Sequence, residues 1–193
     1  MLLFKGQTVF REYHIGDWGT PFGMLIEHLL DVGEHEAANE LNVGDLDGFY
    51  KEARSKFNLS EDFAKRSRNR VVLLQSGDEE TIRLWEILVS ESMRYFNEVY
   101  SMLNVLLIDS DIKGESFYHN LLPVVIDRLN KSKLLVESEG ADVVYPDKKW
   151  MNREGQIMPM IIRKGDGGYN YSATDLACIN DRSERLQCTD FLY

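Results

Sequence analysis

With 193 residues and ten more acidic than basic side chains, the chain is long enough to bury a substantial core, and its charge argues against gripping a nucleic-acid backbone unaided. No apolar run approaches the roughly 20 residues of a membrane span, and Met1-Leu2-Leu3-Phe4-Lys5 is too short for a secretory signal and has no small-residue cleavage site after it. Cys178 and Cys188 are the only cysteines; lacking Cys-x-x-Cys spacing, they argue against a disulfide framework or zinc site and fit a reducing cytoplasm.

Thr8-Val9-Phe10-Arg11-Glu12-Tyr13 reads as a short strand ending in His14-Ile15-Gly16-Asp17-Trp18-Gly19-Thr20. Glycines 16, 19 and 23 match neither the P-loop nor the dinucleotide fingerprint, but they mark a close backbone approach that holds Asp17 and Trp18. Two readings stand here. One is a tight turn with a packed tryptophan; the other is a ligand-pocket rim formed by His14, Asp17 and Trp18.

From Pro21 a helix is predicted, with Met24, Leu25, His28 and Leu29 at helical spacing up to Gly33. His28 and His35, with glutamates between them, read as a solvated charged face rather than a metal site. Three further helices are expected over about 45 to 104. The first carries the stripe Leu46, Phe49, Tyr50, Ala53 and Phe57. Ser60 caps the second, and Asp78 caps the third after a stop at Ser76-Gly77. The third stripe reads Ile82, Trp85, Val89, Phe96, Tyr100 and Leu103, and core packing explains its aromatics. Arg66, Arg68 and Arg70 read as a solvated helix face.

Gly114-Glu115-Ser116-Phe117-Tyr118 reads as a loop, and Pro123 opens a helix with Leu122, Val125, Ile126 and Leu129 inward. Leu134–Ser138 and Asp142–Pro146 flank Gly140 as a β-hairpin, with a polar loop over 147 to 156. An apolar strand, Ile157 to Ile162, leads into Lys164-Gly165-Asp166-Gly167-Gly168-Tyr169-Asn170-Tyr171, and a helix from about Ser172 leads out. Strand, glycine turn and helix start together form a place where α/β proteins put ligands. Tyr171 and Asp175, four residues apart, meet at the helix start. A carboxylate can accept a bidentate guanidinium while a phenol adds a hydrogen bond, so the pair can grip a cationic head group. A capped helix with a surface aspartate is the other reading. Phe191-Leu192-Tyr193 reads as a last strand, as if a larger α/β domain were cut mid-sheet.

Four blocks together resemble the class I arginyl-tRNA synthetases. They are His14–Thr20 with Phe22–Ile26, Val71-Val72-Leu73-Leu74-Gln75, Gly114–Tyr118, and Pro159–Lys164 with Asp166–Tyr169 and Tyr171–Ala177. They keep the family's order and spacing from about residue 12 onward. The resemblance implies a nucleotide-binding, Rossmann-like α/β domain with a largely helical insertion (about 45 to 132), a small hairpin (about 134 to 146) and a strand-turn-helix (about 157 to 193). It also implies activation of L-arginine with ATP and magnesium, then transfer to tRNA. Tyr171 and Asp175 fall on the family's tyrosine and aspartate that hold the arginine side chain.

The chain departs from the family pattern in places. Nothing in Met1–Arg11 resembles the HIGH motif, and the KMSKS loop and anticodon-binding domain have no counterpart. Pro21 stands where the family usually has glutamine, and Gly165 where it has serine. Adenylate formation needs cationic or hydrogen-bonding groups aimed at the α-phosphate, and the chain offers only Arg163, Lys164 and turn amides. A truncated homologue that does not complete the reaction alone is therefore expected. The alternatives are a free-standing arginine-binding paralogue in metabolism or regulation, and a protein that dimerises through the edge at Phe191–Tyr193.

Overall fold

Two units, each closed around its own apolar cluster, make up the chain. The computed structural model describes residues 1–37, 46–146 and 151–192. A helical unit covers Asp17–Leu106, and a mixed unit is built from Met1–Gly16 with Leu107–Tyr193.

The helical unit contains α1 (Thr20–Val32), α2 (Leu46–Leu59), α3 (Glu61–Ser76) and α4 (Glu79–Met102). Pro21 lies in the first turn of α1, where its missing N–H costs nothing. Ser60 Oγ accepts from Phe63 N at 3.2 Å, Gly77 ends α3 in the left-handed region, and Asp78 accepts from Thr81 N at 3.0 Å. These three punctuation marks fix where α3 stops and α4 starts. Every residue from Phe22 to Leu29 is buried, so α1 is the central rod of the unit. It can be central because Gly23 has no side chain. A Cβ there would stand 2.3 Å from the Ser67 carbonyl oxygen and 2.7 Å from Val71 Cγ2 of α3.

Three sequence readings are corrected in this unit. The buried seam of α4 is Thr81, Leu84, Leu88 and Ser92, while the predicted Ile82, Trp85 and Val89 flank it half-buried and Leu103 is exposed. Its hydroxyls are buried because they are satisfied: Thr81 Oγ1 bonds Asp78 and Arg70, and Ser92 Oγ donates to the Leu88 carbonyl at 2.7 Å. Arg66 and Arg70 are not merely a solvated face. They converge on buried Glu27 at 2.5 and 2.7 Å, and Arg68 stacks over Phe57. His28 is fully buried against Phe49 rather than solvated, since α1 has no outward side at that turn.

In the mixed unit, β1 (Leu135–Ser138), β2 (Ala141–Val144) and β3 (Met160–Arg163) form one antiparallel sheet in that order. Glu139 and Gly140 both have positive φ, the two-residue turn that matches strand twist, and they set the register Ser138↔Ala141. A bulge between Asp142 and Val143 interrupts the β2–β3 pairing. A 3-10 helix over Glu115–Leu121 stands where a loop was expected; α5 (Leu122–Lys131) and α6 (Tyr171–Glu184) complete the unit. Tyr118, Leu122, Val125, Ile162, Ala173, Ala177 and Cys178 form its core.

The predicted strand over Thr8–Tyr13 does not form. Pairing begins only at its last residue, as a parallel bridge of Tyr13 with Ile112 continued by Glu115 N to the Ile15 carbonyl at 3.0 Å. Phe191 and Leu192 are not in a strand, Leu192 is solvent-exposed, and Tyr193 lies outside the described residues. Residues 147–150 of the expected polar loop also lie outside them. No helix among the described residues is long and apolar enough to cross a membrane.

Candidate functional site

The glycine turn after β3 is fixed by its own backbone. Lys164 N donates to the Gly168 carbonyl and Gly167 N to the Lys164 carbonyl, each at 2.9 Å, while Asp166 Oδ1 accepts from Gly168 N. Gly167 has φ +87°, which favours glycine, and a Cβ on Gly165 would lie 3.1 Å from the Gly140 carbonyl oxygen of the hairpin turn. Arg163 bridges to Tyr169, and Asn170 N donates to the Ile162 carbonyl at 3.1 Å. The chain therefore enters α6 at one place and one angle.

Within α6, Ser172, Ala173, Thr174, Ala177 and Cys178 face inward. That leaves Tyr171 and Asp175 on the outer strip, one turn apart. Tyr171 is 65% exposed and the Asp175 side chain 34%. No side chain caps the helix start; its first turn is held instead by Thr174 Oγ1, 2.8 Å from the Tyr171 carbonyl and 3.3 Å from Glu115 Oε1.

The Tyr13–Ile112 bridge carries His14 to this strip. Its Nδ1 is 3.1 Å from the Lys113 carbonyl oxygen, and its Nε2 is 3.5 Å from Asp175 Oδ1. The ring also packs on Tyr118, with centroids 5.4 Å apart. Tyr171, Asp175 and His14 thus lie in one unit. Asp17 and Trp18 belong to the other, and both are buried there. The Asp17 carbonyl accepts from Trp85 Nε1 at 2.6 Å, the Trp18 carbonyl from Gln75 Nε2 at 3.2 Å, and the two indoles meet edge-on at 5.2 Å.

Several supporting residues were not singled out from the sequence. Tyr118 and Cys178 face one another beneath the strip; burial is the leading cause that pushes both above their ordinary values. Glu12 holds Arg182 at 3.0 Å and Arg185 at 2.6 Å, tying the N-terminal segment to α6. The arginines' three-residue spacing signals a shared helix face, but no local pattern names the partner. Among the described residues there is no group of three or more His, Cys, Asp or Glu placed to hold a metal. Arg163, one of the few cations near the turn, is engaged by Asp142 at 2.6 Å.

The family model for the class I tRNA synthetase (R) catalytic domain matches residues 1–193. The chain belongs to that family. An arginine–tRNA ligase of Thermobifida fusca is 51% identical over 193 residues, covering all of this chain and 33% of the relative. One of Nostoc sp. is 43% identical over 195 residues, covering all of this chain and 32% of the relative. The crystal structure of arginyl-tRNA synthetase from Plasmodium falciparum superimposes with a TM-score of 0.69 at 29% identity, over 97% of this chain and 30% of that one. The chain spans about a third of the length of the curated relatives it matches.

Proposed function

We propose that this chain carries the arginine-recognition part of an arginine–tRNA ligase. The reaction of the whole enzyme is ATP-dependent activation of L-arginine and its transfer to tRNA. The supporting observation is the outward pair on α6: a partly exposed Asp175 carboxylate one turn beyond the exposed hydroxyl of Tyr171. An ionised carboxylate accepts two parallel N–H bonds from a guanidinium, and the phenol supplies a further polar contact that fixes its plane. The open strip suits a ligand that brings its own charge and is only half desolvated when bound.

ATP and magnesium supply the activating chemistry in this family. The described residues provide neither a metal cluster nor an unengaged Arg163 for the phosphates. The role proposed for this chain's own side chains is to bind and orient arginine, which the outward Tyr171 and Asp175 pair suits. The net charge of −10 places little of the tRNA-backbone attraction on this segment. We place the protein in the cytoplasm, where Cys178 and Cys188 stay as the free thiols seen in the structure.

Titration calorimetry with L-arginine tests the pocket. Asp175→Asn removes the charge while keeping the shape, and it should weaken binding by about a hundredfold, as expected when a charge-assisted pair is lost. Unchanged affinity in that variant refutes the pocket. Arginine-dependent pyrophosphate exchange by the isolated chain should be absent, and robust exchange would refute the confinement of its role to recognition.

A further inference from the structure

We infer that His14 is a specificity-determining residue of this site, with its Nε2 lone pair accepting one N–H of the guanidinium that Asp175 holds. The inference rests on the arginine reading above and adds a second acceptor to it. A backbone carbonyl can only accept, so the contact between His14 Nδ1 and the Lys113 oxygen at 3.1 Å places the proton on Nδ1. In the neutral ring Nε2 is then a lone pair. That atom is buried, and it has no hydrogen-bond partner among the described residues. It points at Asp175 Oδ1, 3.5 Å away. With the ring in this neutral tautomer two acceptors face each other, and a donor shared between them relieves the cost of a buried acceptor left without one.

A guanidinium meets that need better than other head groups. Its five N–H donors lie in one plane, so one edge can serve the carboxylate while an adjacent N–H serves the imidazole. The urea of citrulline replaces a donor with a carbonyl oxygen and carries no charge. Placed here, it would set one more lone pair against Asp175 or His14. The imidazole is held for the task from two sides, by the Lys113 carbonyl and by the Tyr118 ring at 5.4 Å. Tyr118 is itself fully buried, so it forms a fixed wall.

The test combines calorimetry and nitrogen-15 NMR on the 193-residue chain. His14→Ala should weaken L-arginine binding about tenfold and narrow the preference for arginine over citrulline, while His14→Gln, whose amide oxygen can accept, should recover part of the loss. In the unsubstituted protein, His14 should show a protonated Nδ1 and a bare Nε2, and the Nε2 signal should shift on adding arginine. Arginine affinity unchanged in His14→Ala but lost in Asp175→Asn overturns the role of His14 and leaves the pocket standing. An imidazolium signature in the arginine-bound protein overturns it as well, even if neither variant folds. Absence of arginine binding by the unsubstituted chain overturns both.

Discussion

Arg182 Nε donates to Glu12 Oε2 at 3.0 Å across 170 residues of sequence, and Arg185 takes the other Glu12 oxygen at 2.6 Å. The Arg182–Glu12 pair is withdrawn from water, with side-chain exposures of 12% and 8%. Burial alone would lower the Arg182 guanidinium, but the Glu12 hydrogen bond and neighbouring charges hold it above its ordinary value. The pair anchors the segment that carries His14 to the helix that carries Asp175. Glu12→Gln leaves a buried guanidinium uncompensated and should destabilise the mixed unit by about 3 kcal/mol. Urea unfolding followed by circular dichroism measures the loss, and the His14 imidazole signals should broaden or shift in the same variant.

Gly23 of α1 admits no side chain. The Ser67 carbonyl oxygen and Val71 Cγ2 occupy the space a Cβ would need, at 2.3 and 2.7 Å. Neither atom is the free end of a flexible chain, so α1 and α3 must separate. Gly23→Ala should cost about 1–3 kcal/mol in unfolding free energy, in the range of overpacked cores. Gly16→Ala is the control: nothing lies within 4 Å of its Cβ position, and its φ is not in the positive region. It should change stability by less than about 0.5 kcal/mol.

The features that could be read in the sequence were local ones. Ser60, Gly77, Asp78 and Pro21 act within three or four residues of themselves, and each does what its chemistry dictates. The Gly140 hairpin was legible for the same reason. The seam of α4 was not, because Thr81 and Ser92 are buried through hydrogen bonds that hydropathy does not register. The strand expected over Thr8–Tyr13 failed because its pairing partner, around Ile112, is set by the tertiary fold. At the site, the four-residue spacing of Tyr171 and Asp175 was readable as one helix face. The approach of His14 to Asp175 was not, since the parallel bridge at Tyr13 and the Glu12–Arg182 pair bring them together from distant parts of the sequence.

His28 makes the helical unit sensitive to acid. The ring is fully buried, and neither nitrogen has a hydrogen-bond partner among the described residues; the Glu52 carboxylate lies 3.6 Å from Nε2. Burial, then the Lys56 charge, push it below its ordinary value of 6.5, outweighing Glu52 and Asp31. Well above pH 6.5 the ring is neutral in both folded and unfolded chains and contributes no slope. As pH falls through that value, the unfolded chain takes up a proton that the folded one refuses, so stability declines. The decline stops only below the folded value. Half-buried His119 is pushed in the same direction by its partial burial and adds a slope of the same sign in the mixed unit. His28→Leu should flatten the stability–pH profile of the helical unit below pH 6.5. Urea midpoints at three or more pH values check this, and an unaltered slope in the variant refutes it.

Tyr171 separates recognition from folding. Its side chain is at the first position of α6 and 65% exposed, so it contributes little to the core. Tyr171→Phe should leave unfolding free energy within about 0.5 kcal/mol of the original, as for other surface substitutions. If the phenol contacts the bound guanidinium group, its loss should weaken L-arginine binding about three- to tenfold, the range for one hydrogen bond. Asp175→Asn should act more strongly because it removes the charge. The double variant should be less than additive, since both side chains orient the same planar group. Calorimetry on the four proteins measures the coupling directly. Strict additivity would mean that Tyr171 and Asp175 act independently rather than jointly orienting one planar group.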